Sequence, residues 1–408
     1  MKLVLLSGGS GKRLWPLSNN QRSKQFIKAF KNENDELESM VQRVWKQLDE
    51  TNLQKDAFIA TGEGQRSLLK NQLDIEDEKI ISEPSRRDTF PAIVLAASYL
   101  FSKIGSSKDE VMIVQPVDPF VDVAFFEKIK ELEPLIKKTK ASLALVGIKP
   151  TIPSEKFGYI VPEEFQSNKV KMFQEKPKTE IAEELISRGA VWNAGVFGLK
   201  IGVLIDYLES LGYPVDYDEL VKSYEELPKN SFDYEFSEKQ ENISFIQYDG
   251  YWKDLGTWNT LTEEVGDKII GKASALIDSQ NTHIINETDL PIAVIGVKDL
   301  VVAAGAEGIF VSTKEASPRV KEIPEHFFET IHYTEENWGN RRTIYNTEKA
   351  HASCYEVING KSLKLELQDN QKLSRLSGEG IFTYRGKSVA ITGSNELIFV
   401  IVTEEIKE

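Results

Sequence analysis

Apolar residues in the first two thirds of the chain occur in two textures. "KLVLLSG", "DAFIATG", "VMIVQPVD" and "SLALVGI" are short Val, Ile and Leu runs closed by Gly, Asp or a hydrophobic stop. Their length and β-branched content predict buried strands, the first spanning Met1 to Leu6. Between them lie longer amphipathic stretches at helical spacing: Leu37 to Leu48, Gln65 to Leu73, Pro91 to Phe101 and Ala124 to Lys140. Strands alternating with helices predict βαβ units, hence an α/β fold with a Rossmann-like, mixed but mostly parallel sheet and flanking helices. From about Gly271 the texture changes. "ASALIDSQNTHIINETDLPIAVIGVKDLVVAAGAEGIFVS" holds short β-like runs broken by Asn, Asp, Gly and Pro, without a long helical period. "SPRVKEIPEHFFETIHY" reads as a linker, and "SCYEVI", "SLKLEL", "GIFTYRG", "SVAITG" and "ELIFVIV" predict a small β sandwich or barrel. The expected division is 1–270, 271–325 and 326–408, with a β-rich C-terminal region following the α/β part. There is no strict repeat and no low-complexity tract.

The carboxyl ends of strands in such a sheet are where ligands bind, and this directs attention to "LSGG", "PVDPF" and "GIKP". The first strand runs into "SGGSGKR", where Gly8, Gly9 and Gly11 let the backbone approach a flat or anionic group while Arg13 and Lys24 add charge nearby. A strand followed by an ordinary turn is the plainer reading. Two known phosphate loops do not fit. A Walker A loop needs Gly where Leu6 stands, and the dinucleotide fingerprint needs Gly where Leu14 stands. A nucleotide bound in a third way remains.

Composition narrows the classes. The chain has 408 residues, 40% of them hydrophobic, and a net charge of −14. That charge argues against nucleic acid or an anionic membrane as partner, since both demand a basic face, but a local basic pocket still suits a small phosphorylated ligand. No apolar stretch approaches the ~20 residues that span a bilayer, and Leu3 to Leu6 is too short for a signal peptide core. The lone cysteine, Cys354, fits a reducing compartment. A soluble cytoplasmic protein is expected. His283, His326, His332 and His351 are scattered, so a hard cation such as Mg2+ on carboxylates is a better expectation than a histidine-bound zinc.

Five further stretches could carry chemistry. In "EPSRRDTFPAIVLAASYL", Pro91 is placed as the first residue of a helix beginning near Ala92. Arg86, Arg87, Asp88 and Thr89 then sit just before its N-terminus, either as solvated cap residues or as readers of a base or ribose. Asp118 follows an apolar strand between Pro116 and Pro119, where it could hold a divalent cation or simply stabilise a turn. Glu175 and Lys176 end the run Val170 to Phe173; such a pair is commonly a surface pair. Asn193 stands among apolar and small residues, where a buried amide needs a partner, one candidate being a ligand hydroxyl. Asp254, enclosed by aromatic residues in "YDGYWKDLGTWNTL", needs a charge partner or a metal.

Taken in order, "GGSGKRLWPLS", "SKQF", "PVDP", "FQEKP" and "WKDLG" resemble the sugar nucleotidyltransferases, whose signature runs G-G-x-G-T-R-L-x-P-L, Lys, Asp, E-K-P and W-x-D-x-G. "RLWPLS", "GIKPTIPSEKFGYI", "WNAGVF" and "WKDLGTW" look like the mannose-1-phosphate guanylyltransferase branch, over roughly residues 1 to 325, and "VIGVKDLVVAAGAEGIFVSTKEASPRVKEI" resembles that branch's β-rich, β-helix-like segment. The resemblance implies that GTP and a sugar 1-phosphate give a GDP-sugar and pyrophosphate. A sugar phosphate oxygen would attack the α-phosphorus in line; being anionic already, it needs no general base. Positioning and charge neutralisation would carry the catalysis. The backbone from Leu6 through Ser7, Gly8 and Gly9 to Gly11, with Lys12, would cradle the nucleotide. Arg13 would hold the leaving phosphates, and Lys24 would stabilise charge at the α-phosphate. Asp118 and Asp254 would bind Mg2+. Lys176 would grip the sugar phosphate, while Glu175, Asn193 and the backbone at Gly158 read sugar hydroxyls. Asp88 and Thr89 would lie near base and ribose.

Several positions depart from the family pattern. Lys12 replaces the usual Thr, Ser23 the Pro before the lysine, Asp88 an Asn, and Pro119 a His. Asp118, Lys24, Lys176 and Asp254 all persist, so base and sugar choice are affected before catalysis is. "NWGNRRTIYN" and "GKSLKLEL" resemble pieces of the cupin-like isomerase domain that ends longer members, but "QDNQKLSRLSGEG" lacks its His-x-His metal ligands. The tail is therefore expected to be a remnant without isomerase activity that serves packing or oligomerisation, and it admits a homodimer. Another sugar 1-phosphate or NTP, or a non-catalytic sugar-nucleotide sensor, are the competing readings.

Overall fold

The computed structural model describes residues 1–9, 12–164, 167–272, 274–329 and 331–404. These resolve into two compact units. One comprises Met1–Gly9, Met40–Arg66 and Ile75–Leu255; the other comprises Ser10–Ser39, Ser67–Asp74 and Gly256–Glu408.

The first unit is built on a mixed sheet. Its parallel part pairs Lys2–Ser7 with Ala57–Gly62 on one side and Val111–Pro116 on the other, and Ile80–Glu83 extends it. These strands are covered on both faces, which is why they read as continuous apolar runs rather than alternating ones. Leu3, Val4 and Leu5 are fully buried. The register lines up their carboxyl ends. Leu6 lies level with Pro116, Ser7 with Thr61, and Gly62 with Glu83. The loops "SGG", "PVD" and "EPS" therefore leave one edge of the sheet together.

Val191–Lys200 runs antiparallel to Val111–Pro116 and also pairs with Leu143–Ile148 and Tyr159–Pro162. Val170–Gln174 joins Tyr159–Pro162, and Ile243–Tyr248 lies parallel to Leu143–Ile148. Gly195, in the left-handed region with φ of 73°, rests on Pro116; a Cβ there would stand 3.6 Å from the proline Cγ.

The helix Thr89–Ser102 is apolar around its circumference, with Phe90 through Ser98 and Leu100 buried. It packs between the sheet strand Ile80–Glu83 and the helices Ile201–Ser210, Tyr217–Lys222 and Phe232–Glu235, so no face is left for solvent. It starts at Thr89, with Asp88 as its cap, three residues before the expected start near Ala92. Pro91 is tolerated because the first amides of a helix have no intrahelical partner. The stretch Ala124 to Lys140, expected as one helix, is two: Val123–Ile129 and Leu132–Thr139. Pro134 explains the break, since it has no N–H for the Lys130 carbonyl and its ring would clash with that group.

The second unit holds the β-rich region. Ile269–Gly271, His283–Asn286 and Leu300–Gly305 stack in parallel, as do Ser274–Ile277 and Ile292–Ile295, giving two parallel ladders of a β-helix. Beyond short turns at Ser317–Glu322 and Glu325–Phe328, an antiparallel sheet orders Tyr333–Glu336, Gly339–Asn346, Ala350–Val357, Ser388–Glu404 and Ser362–Glu366, with Gln371–Arg385 also on Ser388–Glu404. Val357, Val389, Ile391, Leu397 and Phe399 form its core. The stretch holding Trp15 and Arg22 is anchored inside this unit. Trp258 is fully buried and donates Nε1–H to the Trp15 carbonyl at 3.1 Å, and Arg22 grips both oxygens of Glu287 at 2.6 and 2.9 Å. Among the described residues no helix is long and apolar enough to cross a membrane.

Candidate active site

The first unit gathers the sequence candidates at the edge where the parallel strands end. Leu6 and Ser7 close the first strand, and Thr61 Oγ1 donates to the Ser7 carbonyl at 3.1 Å. Gly8 and Gly9 follow as exposed backbone, Gly9 with φ of 128°. Gly11 lies outside the described residues. A Cβ on Gly8 would point at Oε1 of Glu83, 3.9 Å away. Glu83 is only 8% exposed and accepts a hydrogen bond from the Tyr224 hydroxyl at 2.8 Å. Burial pushes its carboxyl up to about 7, against the opposing pull of the Tyr224 hydrogen bond and the Arg86 charge. Glu83 was not among the sequence candidates, although it ends a parallel strand just as the "PVD" stretch does.

Asp88 adopts φ of 71° and its carboxylate accepts from the Thr89 amide at 2.8 Å. Thr89 Oγ1 in turn accepts from the Phe232 amide at 2.8 Å, and the Phe90 amide donates to the Asn230 carbonyl at 3.2 Å. The loop expected near the base is thereby tied to the turn Asn230–Glu235.

Asp118 and Asp254 are brought together by a two-stranded ladder. Pro119–Val121 pairs antiparallel with Trp252–Asp254, placing Asp254 opposite Pro119, the neighbour of Asp118. Both aspartates are half-buried. No group of three His, Cys, Asp or Glu residues suited to a metal occurs among the described residues. Two carboxylates alone suit a hard cation that completes its shell with phosphate oxygens and water.

The residues expected to read the sugar converge beside this ladder. Phe157 lies tilted against Trp192 and edge-on to Trp252, with centroids at 4.7 and 5.5 Å, so ring contacts join the neighbours of Gly158, Asn193 and Lys253. The Asn193 amide N–H donates to the Gly158 carbonyl at 2.7 Å. A side chain at Gly158 would crowd this site: a Cβ there would come within 2.5 Å of Glu175 Oε2 and 2.9 Å of Phe173 Cζ. Glu175 is buried, and Lys176 Nζ meets its Oε1 at 2.5 Å. Lys176 has φ of 42°, a left-handed conformation that turns the chain out of the strand. Burial pulls its ammonium down, but Glu175 and Asp233 more than offset this and leave it above its ordinary value.

Asp233 is the second residue the sequence reading missed. Its Oδ1 accepts from Asn193 Nδ2 at 3.0 Å. Burial first, then the charges of Glu175 and Asp88, push its carboxyl above its ordinary value, against the pull of Lys176 and a backbone hydrogen bond. "SFDYEF" reads as one capped turn with an apolar Phe232 and Phe236 pair, and nothing in it singles out the aspartate.

The remaining candidates belong to the second unit. Lys12 pairs with Glu325 and lies 5.2 Å from the centroid of Phe328. Arg13 follows on the same short turn and is exposed, and Lys24 opens the turn Lys24–Phe26 half-buried.

The chain belongs to the nucleotidyl transferase family, whose model matches residues 2–268; residues 273–326 match a mannose-phosphate isomerase/GMP-like β-helix domain. Among relatives, an Escherichia coli mannose-1-phosphate guanylyltransferase is 30% identical, covering 99% of this chain and 90% of its own. A Pseudomonas fluorescens alginate biosynthesis protein, AlgA, is 28% identical over 78% of this chain and 70% of its own. A crystal structure from Thermus thermophilus, described as a mannose-1-phosphate geranyltransferase, superimposes with a TM-score of 0.64 at 25% identity, covering 79% of this chain and 97% of that one. The family and fold expected from the motifs are those found.

Proposed function

We propose that the protein transfers GMP from GTP to mannose 1-phosphate, giving GDP-mannose and pyrophosphate, in the cytoplasm. The observation that carries the reading is the ladder that sets Asp254 opposite Pro119, beside Asp118, in the same unit as Glu175, Lys176 and Asn193. The named relatives support the substrates.

Asp118 and Asp254 are the residues that would hold Mg2+, and a bound Mg2+ would neutralise charge on the phosphate oxygens. The chain supplies the rest. The backbone of Leu6 to Gly9 gives close access to the nucleotide, and Asp88 and Thr89 border it. Lys12, Arg13 and Lys24 keep the phosphate-binding roles that the family resemblance assigns. Lys176 holds the sugar phosphate so that one of its oxygens faces the α-phosphorus. The new P–O bond forms as the bond to pyrophosphate breaks, and no proton has to be removed. Glu83 supports guanine as the base. An ionised carboxylate beside Gly8 accepts from guanine N1–H and its exocyclic amine together, whereas adenine presents an acceptor at the same ring position. The segment 326–408 acts in packing or association rather than isomerisation.

Pyrophosphate release by the purified protein, with each common NTP against mannose 1-phosphate and glucose 1-phosphate, tests this. Release confined to GTP with mannose 1-phosphate is the expected result. Release with another pair would overturn the substrates, and release with none would overturn the activity. Complementation of an isomerase-deficient strain would overturn the reading of the tail.

A further inference from the structure

We propose that Asp233 is a positioning residue: by fixing the side-chain amide of Asn193 it decides which face of that amide the sugar meets. The proposal deepens the sugar-binding reading above and rests on it.

An asparagine amide can sit either way round, and its two ends read opposite chemistry. Here both orientations are not equivalent. Asn193 Oδ1 accepts from the Gly195 amide at 3.1 Å, and Nδ2 donates to Asp233 Oδ1 at 3.0 Å. Turned round, the amide would set its NH2 group against the Gly195 N–H, which cannot donate to it, and its oxygen against Asp233, whose ionised carboxylate has no hydrogen to donate. One Nδ2 hydrogen remains, and it can only donate. Asn193 is thus set to approach an oxygen lone pair, while Glu175, its neighbour across Gly158, accepts from hydroxyl hydrogens. A donor and an acceptor held at fixed places read the configuration of neighbouring hydroxyls, which is how one hexose 1-phosphate is told from its epimer.

The turn that carries Asp233 is itself held. Ser231 caps it through the Tyr234 amide at 3.3 Å, Phe232 and Phe236 are buried, and the Phe232 amide is bonded to Thr89. The carboxylate is therefore a rigid reference. Its charge is also part of the site's balance: Asp233 and Glu175 both act on the Lys176 ammonium, and Glu175 and Asp88 act in turn on Asp233.

The test compares GDP-mannose with GDP by titration calorimetry, and the KM of sugar 1-phosphate with that of GTP. Asp233→Ala should weaken GDP-mannose about tenfold or more while GDP changes less than about twofold. The KM of the sugar phosphate should rise in step and that of GTP should not. Asp233→Asn keeps an acceptor oxygen and should retain most of the affinity. Asn193→Ala combined with Asp233→Ala should be no worse than Asn193→Ala alone, because the aspartate acts through the amide. If Asp233→Ala fails to fold, Asp233→Ser takes its place. Unchanged GDP-mannose binding, additive losses, or equal losses for GDP would overturn the proposal. If the wild type prefers a different nucleotide sugar, the mannose and GTP assignment falls, and the same variants are read with that nucleotide sugar and its parent nucleotide.

Discussion

The Tyr224 hydroxyl donates a 2.8 Å hydrogen bond to Oε2 of Glu83, and both residues are buried. Such a carboxyl keeps its proton longer than an exposed one. It titrates at about 7 in the folded protein against an ordinary 4.5, so folding takes up a proton between those values. The stability this contributes is complete below the ordinary value and is lost as pH rises through about 7. Glu83→Gln is neutral throughout. Its stability relative to wild type should therefore rise between about pH 5 and about pH 8, by up to about 3 kcal/mol. Denaturant melts at the two pH values check this, and a pH-independent difference would contradict it.

The same ionisation bears on substrate binding. If guanine is read by ionised Glu83, the KM of GTP should fall as pH rises through about 7, and Glu83→Gln should flatten that dependence while raising KM roughly tenfold. A pH profile that keeps its shape in the variant would remove Glu83 from base recognition.

Gly158→Ala would place a methyl 2.5 Å from Glu175 Oε2. The backbone there is not left-handed, so strain is not the issue; the carboxylate must move. The expected outcome is a rise of roughly tenfold in the KM of the sugar 1-phosphate, with little change in that of GTP. Equal changes in both would point to general disruption.

Arg22 is buried and bidentate on Glu287, with its guanidinium 5.5 Å from the Tyr333 ring centroid. Removing it leaves Glu287 without its counter-ion. Arg22→Ala should destabilise by about 3 kcal/mol, and Glu287→Gln, which keeps an acceptor, by less. Equilibrium unfolding measures both, and a loss under about 0.5 kcal/mol for Arg22→Ala would contradict the account.

Much of the fold was legible because it follows from local pattern. Parallel strands covered on both faces betray themselves as unbroken apolar runs, as Leu3 to Leu6 and Val111 to Val114 do. The change of texture near Gly271 marks the β-helix, where parallel ladders replace helical spacing. Boundaries were less legible. The helix at Thr89 begins early because Asp88 caps it, and Pro134 splits a stretch whose apolar spacing alone reads as continuous. In the candidate site, residues within ordered motifs were visible in the chain. Glu83 and Asp233 were not, because their surroundings come from distant segments: Tyr224 lies beside Glu83, and Asn193 beside Asp233. Arg22 was hidden for the same reason, since its partner Glu287 is far along the chain.

The account stands most directly on the ladder that sets Asp254 opposite Pro119, next to Asp118. The measurement is turnover of Asp254→Asn and Asp118→Asn with GTP, mannose 1-phosphate and increasing Mg2+, in protein shown by circular dichroism to be folded. Each variant is predicted to lose at least about 100-fold in kcat/KM, with part of the loss recovered at high Mg2+. Variants as active as the wild type at every Mg2+ concentration would contradict it.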